Sequence, residues 1–184
     1  MRAQLLADQP TLVGRSVRLE PMGPEHAEGL RPLFVGDAAE SMADLLVETA
    51  RVGLSRARTR TDRADWAIVR QDHGTVVGEV VLFELDEEHA AMTFRIALVG
   101  PEVFGRGYGS ESTCLVRDFA FGPLGLHRLS LDVAEENQRA VRVYEKAGFR
   151  HEGRRRQVRK VDGQWRDQLL MAILDSDLRH DPKR

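Results

Sequence analysis

The stretch Phe104-Gly105-Arg106-Gly107-Tyr108-Gly109-Ser110 places a glycine at every second position, directly before a run with helical spacing. Glycine lets the backbone approach a ligand closely and take positive φ where needed. The helix that follows offers unpaired N–H groups and the positive end of its dipole. Together these read as an anion site, most naturally for a pyrophosphate, to which Arg106 could add a charge. Other glycine-bearing motifs fit poorly. A Walker A loop needs Gly-Lys-Ser/Thr, and this loop has no lysine. The dinucleotide fingerprint needs a glycine where Ser110 stands, and Gly-x-Ser-x-Gly is absent around Ser110. A glycine-rich turn with no ligand satisfies the same spacing.

About thirty residues on comes Asn137-Gln138-Arg139-Ala140-Val141-Arg142-Val143-Tyr144-Glu145-Lys146-Ala147-Gly148-Phe149. Asn137 is a good N-cap, and Ala140, Val141 and Tyr144 fall on one helix face. With both motifs present in order, the sequence resembles the GNAT superfamily of acyl-CoA-dependent N-acetyltransferases. It is most similar to the branch that holds the ribosomal-protein N-terminal acetyltransferases and the spermidine acetyltransferases. Leu126-His127-Arg128-Leu129, Glu136-Asn137, Phe149-Arg150-His151-Glu152-Gly153 and Asp162-Gly163-Gln164-Trp165-Arg166-Asp167 carry that likeness, which runs from about Trp66 to Leu178.

The resemblance implies acetyl-CoA as cosubstrate, no metal, and a primary amine as acceptor. The acceptor expected is a protein N-terminal α-amine. A polyamine or antibiotic is the alternative, as is a CoA-binding regulatory module without turnover. It implies that Val103, Phe104, Gly105, Arg106, Gly107, Tyr108, Gly109 and Ser110 hold the pyrophosphate end of the cofactor. Asn137, Arg139, Ala140, Tyr144 and Lys146 contribute from the second motif. The backbone of Ile96, Ala97, Leu98 and Val99 would bind the pantetheine and polarise the thioester carbonyl. Phe104 departs from the family's Gln or Arg, which removes a side-chain contact and leaves the loop's backbone amides. Tyr144 falls on the tyrosine that protonates the leaving thiolate; a core aromatic on an amphipathic helix is the other reading of that residue.

Acetyl transfer to an amine also needs the amine neutral. Glu79 and Glu84 lie in an otherwise apolar strand, where a carboxylate needs a reason. Their odd separation puts them on opposite faces of the sheet, so at most one lines a cleft. Glu84 is preferred, by its likeness to an acidic strand position in the spermidine enzymes. A strand-end carboxylate in solvent, or a water relay, would leave neither in the chemistry.

Glu40, Asp44 and Glu48 recur every four residues and could attract a cation, although a solvated helix face explains them as well. Arg154-Arg155-Arg156 with Arg159 and Lys160 fits exposed strand side chains better than an RNA surface, since the net charge is −2. The bulk charge points to neither a nucleic-acid nor a membrane partner. The six histidines show no metal-ligand spacing, and Cys114, the single cysteine, is expected to be a packing residue. One cysteine excludes an internal disulfide and suits a reducing cytoplasm.

The elements that must position these residues follow from periodicity. The 184 residues suit one domain, and 42% hydrophobic with 30% charged residues excludes a wholly disordered chain. Residues 1–10 read as a loose leader with an apolar patch too short for a signal peptide. Ser16–Glu20 reads as a strand, and Pro24 opens a helix through about Val35. One or two helices follow within Asp37–Arg60, with Gly53 a candidate break. Strands are expected at Trp66–Arg70, Thr75–Leu85 and Ala91–Val99, then a helix over Ser110–Phe121, a strand over Leu129–Val133 and a helix over Asn137–Ala147. Two late strands, around Val158 and over Gln168–Leu174, flank an Asp162-Gly163 turn. The order is α/β of the GNAT kind: a single mixed, mostly antiparallel sheet flanked by helices, incompatible with a simple doubly wound topology. Late strands often form dimer contacts in this family, which leaves a homodimer open.

Overall fold

Short polar turns join the middle strands, so they lie side by side in chain order. In the computed structural model, which describes residues 1–35, 40–55 and 60–179, β3 (Ala64–Arg70), β4 (Val76–Asp86) and β5 (Ala91–Leu98) pair antiparallel. Before them lie α1 (Gln4–Asp8), β1 (Leu12–Val13), β2 (Val17–Pro21), a single 3-10 turn at Pro24–His26, α2 (Arg31–Val35) and α3 (Glu40–Ser55). After them come a second 3-10 turn at Pro101–Val103, α4 (Tyr108–Phe121), β6 (Arg128–Ala134), α5 (Gln138–Ala147), β7 (Arg150–Val161), β8 (Gln164–Leu174) and α6 (Asp175–Arg179).

The sheet order is β1-β2-β3-β4-β5-β6-β8-β7. Only β5 and β6 are parallel, and that pairing needs a crossover, which α4 supplies. The two faces of the sheet carry different cores. Trp66, Ile68, Val80, Leu82, Phe94, Leu129 and Leu131 face α4 and α5 with Val116, Phe119 and Tyr144. The opposite face buries Ala67 and Val69 with Met22 and Leu30, against Leu33, Phe34 and Leu54 of the α2–α3 layer.

Three expectations are corrected. Residues 1–10 are not loose: Leu6 is fully buried, the Arg2 N–H donates to Leu124 O at 2.8 Å, and Trp66 Nε1 donates to Pro10 O at 3.0 Å. The apolar pair Leu5–Leu6 has a core to enter, which local periodicity does not reveal. Pro24 opens one 3-10 turn instead of a helix to Val35. Gly53 does not break α3, since its position is open and a glycine in an exposed helix costs only about 1 kcal/mol against alanine.

Candidate active site

β5 and β6 pair over three rungs only, Ala91↔Arg128, Met92↔Leu129 and Thr93↔Ser130. Each then stays with its outer neighbour, β5 with β4 up to Leu98 and β6 with β8 up to Ala134. The two strands therefore part, and a gap opens through the sheet. Its β5 lip is chemically defined. Val99 N donates to Val77 O, so alternation turns the backbone groups of Ala97 and Arg95 toward β4 as well. Those of Ile96 and Leu98 point into the gap, where no strand meets them.

A cavity of about 410 Å³ sits over this gap, between β5, the start of α4 and one face of α5. It touches Ile96, Ala97 and Leu98 alike, because it meets the strand edge-on. Val103, Phe104, Gly105 and Gly107 form its rim, and Tyr108, Gly109 and Ser110 its floor at the first turn of α4. Gly105 and Gly107 take φ of +72° and +85°, a region that ordinary side chains rarely adopt. Gly107 is the N-cap and provides no side-chain cap, so the first-turn N–H groups are left for a ligand. The residues present thus suit a pyrophosphate-bearing ligand such as acetyl-CoA.

From α5 the cavity meets Asn137, Arg139, Ala140, Val143 and Tyr144. Asn137 caps that helix through Oδ1, which accepts from Ala140 N at 3.2 Å. The Arg139 guanidinium lies 3.7 Å above the Phe104 ring centre. Where the family carries Gln or Arg at 104, this chain holds a guanidinium over the same spot from another element. Tyr144 is buried, edge-on to Phe94 at 6.2 Å and 5.9 Å from Phe149. Burial, with the nearby charge of Asp132 adding, pushes its phenol up to about 12.

Not every expected residue is brought here. Val99 packs on the opposite face, and its amide is spent on Val77. Arg106 turns its Nε onto Glu102 O at 3.0 Å, and Arg106 and Lys146 both lie outside the cavity lining. Glu84 also lies outside the cavity lining, as Glu79 does. Glu84 takes φ +56° at a bulge between Phe83 and Asp86, and its carboxylate accepts from the Thr93 hydroxyl at 2.7 Å. That is the end of β5 still paired with β6. The bulge also undoes the parity argument, because Thr93 and Glu79 share a face. Glu79 instead pairs directly with Ala97 at the gap. Its side chain is 12% exposed and 2.8 Å from Arg95. Burial pushes its carboxyl up against the opposing pull of Arg95.

Thr113 and Val143 line the cavity and were missed. Helical spacing from Gly109 and Ala140 would have found both, and Thr113 Oγ1 donates back to Gly109 O at 2.7 Å. Outside the cleft, Asp44 pairs with Arg31 at 2.9 Å and Glu48 with Arg51 at 3.3 Å, while the side chain of Glu40 lies outside the described residues. Arg154 is held by Glu135 and Asp167 at 2.9 and 2.6 Å. Among the described residues no cluster of His, Cys, Asp and Glu could hold a metal, and no helix is long and apolar enough to cross a membrane.

Comparison with known proteins bears on this geometry. Residues 16–150 match the acetyltransferase (GNAT) domain family. Spermidine N(1)-acetyltransferase of Escherichia coli (strain K12) is 32% identical over 112 residues, 61% of this chain and only 60% of that protein's length. The probable N-acetyltransferase YjcK of Bacillus subtilis (strain 168) is 31% identical over 170 residues, 80% of this chain and 94% of that protein. Among solved structures, a chimera of the Vibrio cholerae spermidine N-acetyltransferase SpeG with hSSAT superposes with a TM-score of 0.76 at 22% identity, over 90% of this chain and 99% of that one. A GCN5-related N-acetyltransferase from Brucella melitensis gives 0.72 at 27% identity, over 92% and 80%. The chain belongs to the GNAT acetyltransferase family.

Proposed function

We propose that this protein transfers the acetyl group of acetyl-CoA to a primary amine. The observation that carries the reading is the cavity over the β5–β6 gap, lined both by the first turn of α4, which has no side-chain cap, and by Tyr144. Acetyl-CoA supplies the activated thioester. The first-turn amides of α4 hold its pyrophosphate, and the gap-facing backbone of Ile96 and Leu98 orients the pantetheine.

Tyr144 serves the leaving sulfur. A phenol pushed up to about 12 stays protonated at neutral pH. Complete proton transfer from it to a thiolate whose conjugate acid sits near 8.5 is uphill by about 5 kcal/mol. Tyr144 therefore acts first as a hydrogen-bond donor that strengthens as charge develops on sulfur. Glu79, beside Ala97 on the opposite face, is the carboxylate we assign to take the amine's proton; it replaces Glu84 in that role.

The acceptor we favour is an α-amine or another amine of low pKa. About one α-amine in ten is neutral at pH 7, against about one alkyl amine in 2,500, so it asks less of the weak base available. The pairing of Asp44 and Glu48 with arginines supports this, since it leaves the α3 stripe partly neutralised toward a polycation. Spermidine is the second reading, favoured by the names of the relatives. A cytoplasmic setting goes with the single free Cys114. A homodimer through the β7–β8 hairpin goes with its exposed Val158 and Trp165. Thiol release from acetyl-CoA with an N-terminal peptide panel and a polyamine panel, from pH 6 to 9, tests the reading. A clear preference for spermidine at neutral pH overturns the α-amine assignment, and binding without turnover returns the chain to a regulatory CoA module.

A further inference from the structure

The gap that admits the donor from one face of the sheet also opens on the other. Leu129, Leu131 and Val133 of β6 are buried in the main core with Phe94 of β5. By alternation Ser130 and Asp132, with Thr93 and Arg95, point to the opposite face. Carrying the register Thr93↔Ser130 two residues further puts Arg95 and Asp132 on facing lips of the gap.

Charges cross this face in a row. Asp65 on β3 is held by Arg63, whose Nε is 2.7 Å from Oδ2. Glu79 on β4 is held by Arg95 of β5 at 2.8 Å. Asp132 ends the row. It is exposed, and among the described residues it makes no ion pair and no side-chain hydrogen bond. Its charge nonetheless reaches Tyr144 on the core side and adds to the rise in that phenol. Asp132 therefore sits near the donor cleft, at the far mouth of the same opening, and among the described residues it has no ion-pair partner, since the facing Arg95 is turned to Glu79.

We propose that Asp132 binds the protonated amine of the acceptor at the mouth of the β5–β6 gap, opposite the donor cleft. The protein then reads its acceptor as a cation, through a carboxylate on the lip of the opening, before a proton is removed. Glu79 cannot do this, because Arg95 already counters its charge. The inference rests on the proposed transfer to an amine and adds the residue that selects it.

Asp132→Asn keeps size and shape and removes the charge. Steady-state kinetics should show the amine KM rising ~10–100-fold, the range for losing a hydrogen bond to a charged group. The kcat should move by a few-fold at most, the acetyl-CoA dissociation constant from calorimetry should stay put, and Asp132→Glu should recover part of the loss. The tyrosinate titration of Tyr144, followed by ultraviolet absorbance against a Tyr144→Phe blank, should shift down in Asp132→Asn. Asp132→Ser repeats the kinetic test should the Asn variant fold poorly. Wild-type protein that releases no thiol with any amine overturns both the function and this inference. Wild-type turnover with an unchanged amine KM in Asp132→Asn, or a loss confined to kcat, overturns this inference alone.

Discussion

On one face of the sheet the β5–β6 gap opens among glycines, apolar side chains, uncharged polar groups such as Thr113, Asn137 and Tyr144, and the Arg139 guanidinium. On the other it opens beside Asp132, Arg95 and Glu79. The first side presents backbone amides held in place by φ values that only glycine takes easily, and it suits one long, fixed ligand. The second presents charges on rigid strands and suits a small cation. A site made of backbone should tolerate most side-chain changes and fail when its glycines change. A site made of charges should behave the other way round.

The sharpest way to break that contrast is Gly107→Val. At φ +85° a β-branched residue is strained by ~1–3 kcal/mol, although a Cβ there would meet no other atom within 4 Å. Acetyl-CoA affinity should fall by at least ~100-fold on losing the pyrophosphate cradle. Calorimetry showing unchanged affinity removes the donor side of the comparison.

Tyr144→Phe comes next, and it acts on chemistry instead of binding. The ring contacts to Phe94 and Phe149 remain, so thermal stability and acetyl-CoA affinity should hold. Turnover should drop by ~10²-fold, the usual range for a positioned acid. Full activity returns Tyr144 to a packing role.

The proposed donor side was legible in the sequence because each of its parts is local. Gly105, Gly107 and Gly109, the Asn137 cap and Tyr144 two turns on are fixed offsets within single elements. The proposed acceptor side depends on relations between elements. Asp132 gains its place only because β6 leaves β5 after Ser130, and nothing within Arg128–Ala134 marks where a partner strand departs. Glu84 was misplaced for a related reason: strict alternation cannot anticipate the bulge that turns it toward Thr93. Leu6 looked like part of a leader because its partners lie far along the chain.

The two strand carboxylates offer a paired test of smaller size. With Glu79 as proton acceptor, activity should fall as pH drops through its raised pKa, and Glu79→Gln should flatten that acid limb and lower kcat/KM by ~10-fold or more. Glu84→Gln should leave the profile unchanged. The stability sign is opposite to that of a salt-bridged carboxylate. A group whose folded pKa is raised contributes fully below its unfolded value near 4.5 and loses that contribution as pH rises through the folded value. Denaturant titrations should therefore show wild type losing stability relative to Glu79→Gln as pH climbs out of the acid range. Identical profiles for the two variants would remove Glu79 from the chemistry.

The smallest expected effect concerns the one charged element on the donor side. The Arg139 guanidinium lies over Phe104, 3.7 Å from its centre. Stacking of this kind is worth ~0.5–1 kcal/mol in the open and about 2 when water is excluded. It restricts the guanidinium before any ligand arrives, so less side-chain entropy is lost on binding. Arg139→Ala should weaken acetyl-CoA binding by ~10-fold through loss of the charge. Phe104→Ala should weaken it by only ~3-fold, because the guanidinium remains but is no longer held. Raising the salt concentration should shrink the first effect and leave the second, since screening acts on charge and not on ring packing. If Phe104→Ala and Arg139→Ala each cost the full amount and together cost no more, the pair acts as one unit. If Phe104→Ala costs nothing, the ring is only a neighbour and the charge works alone.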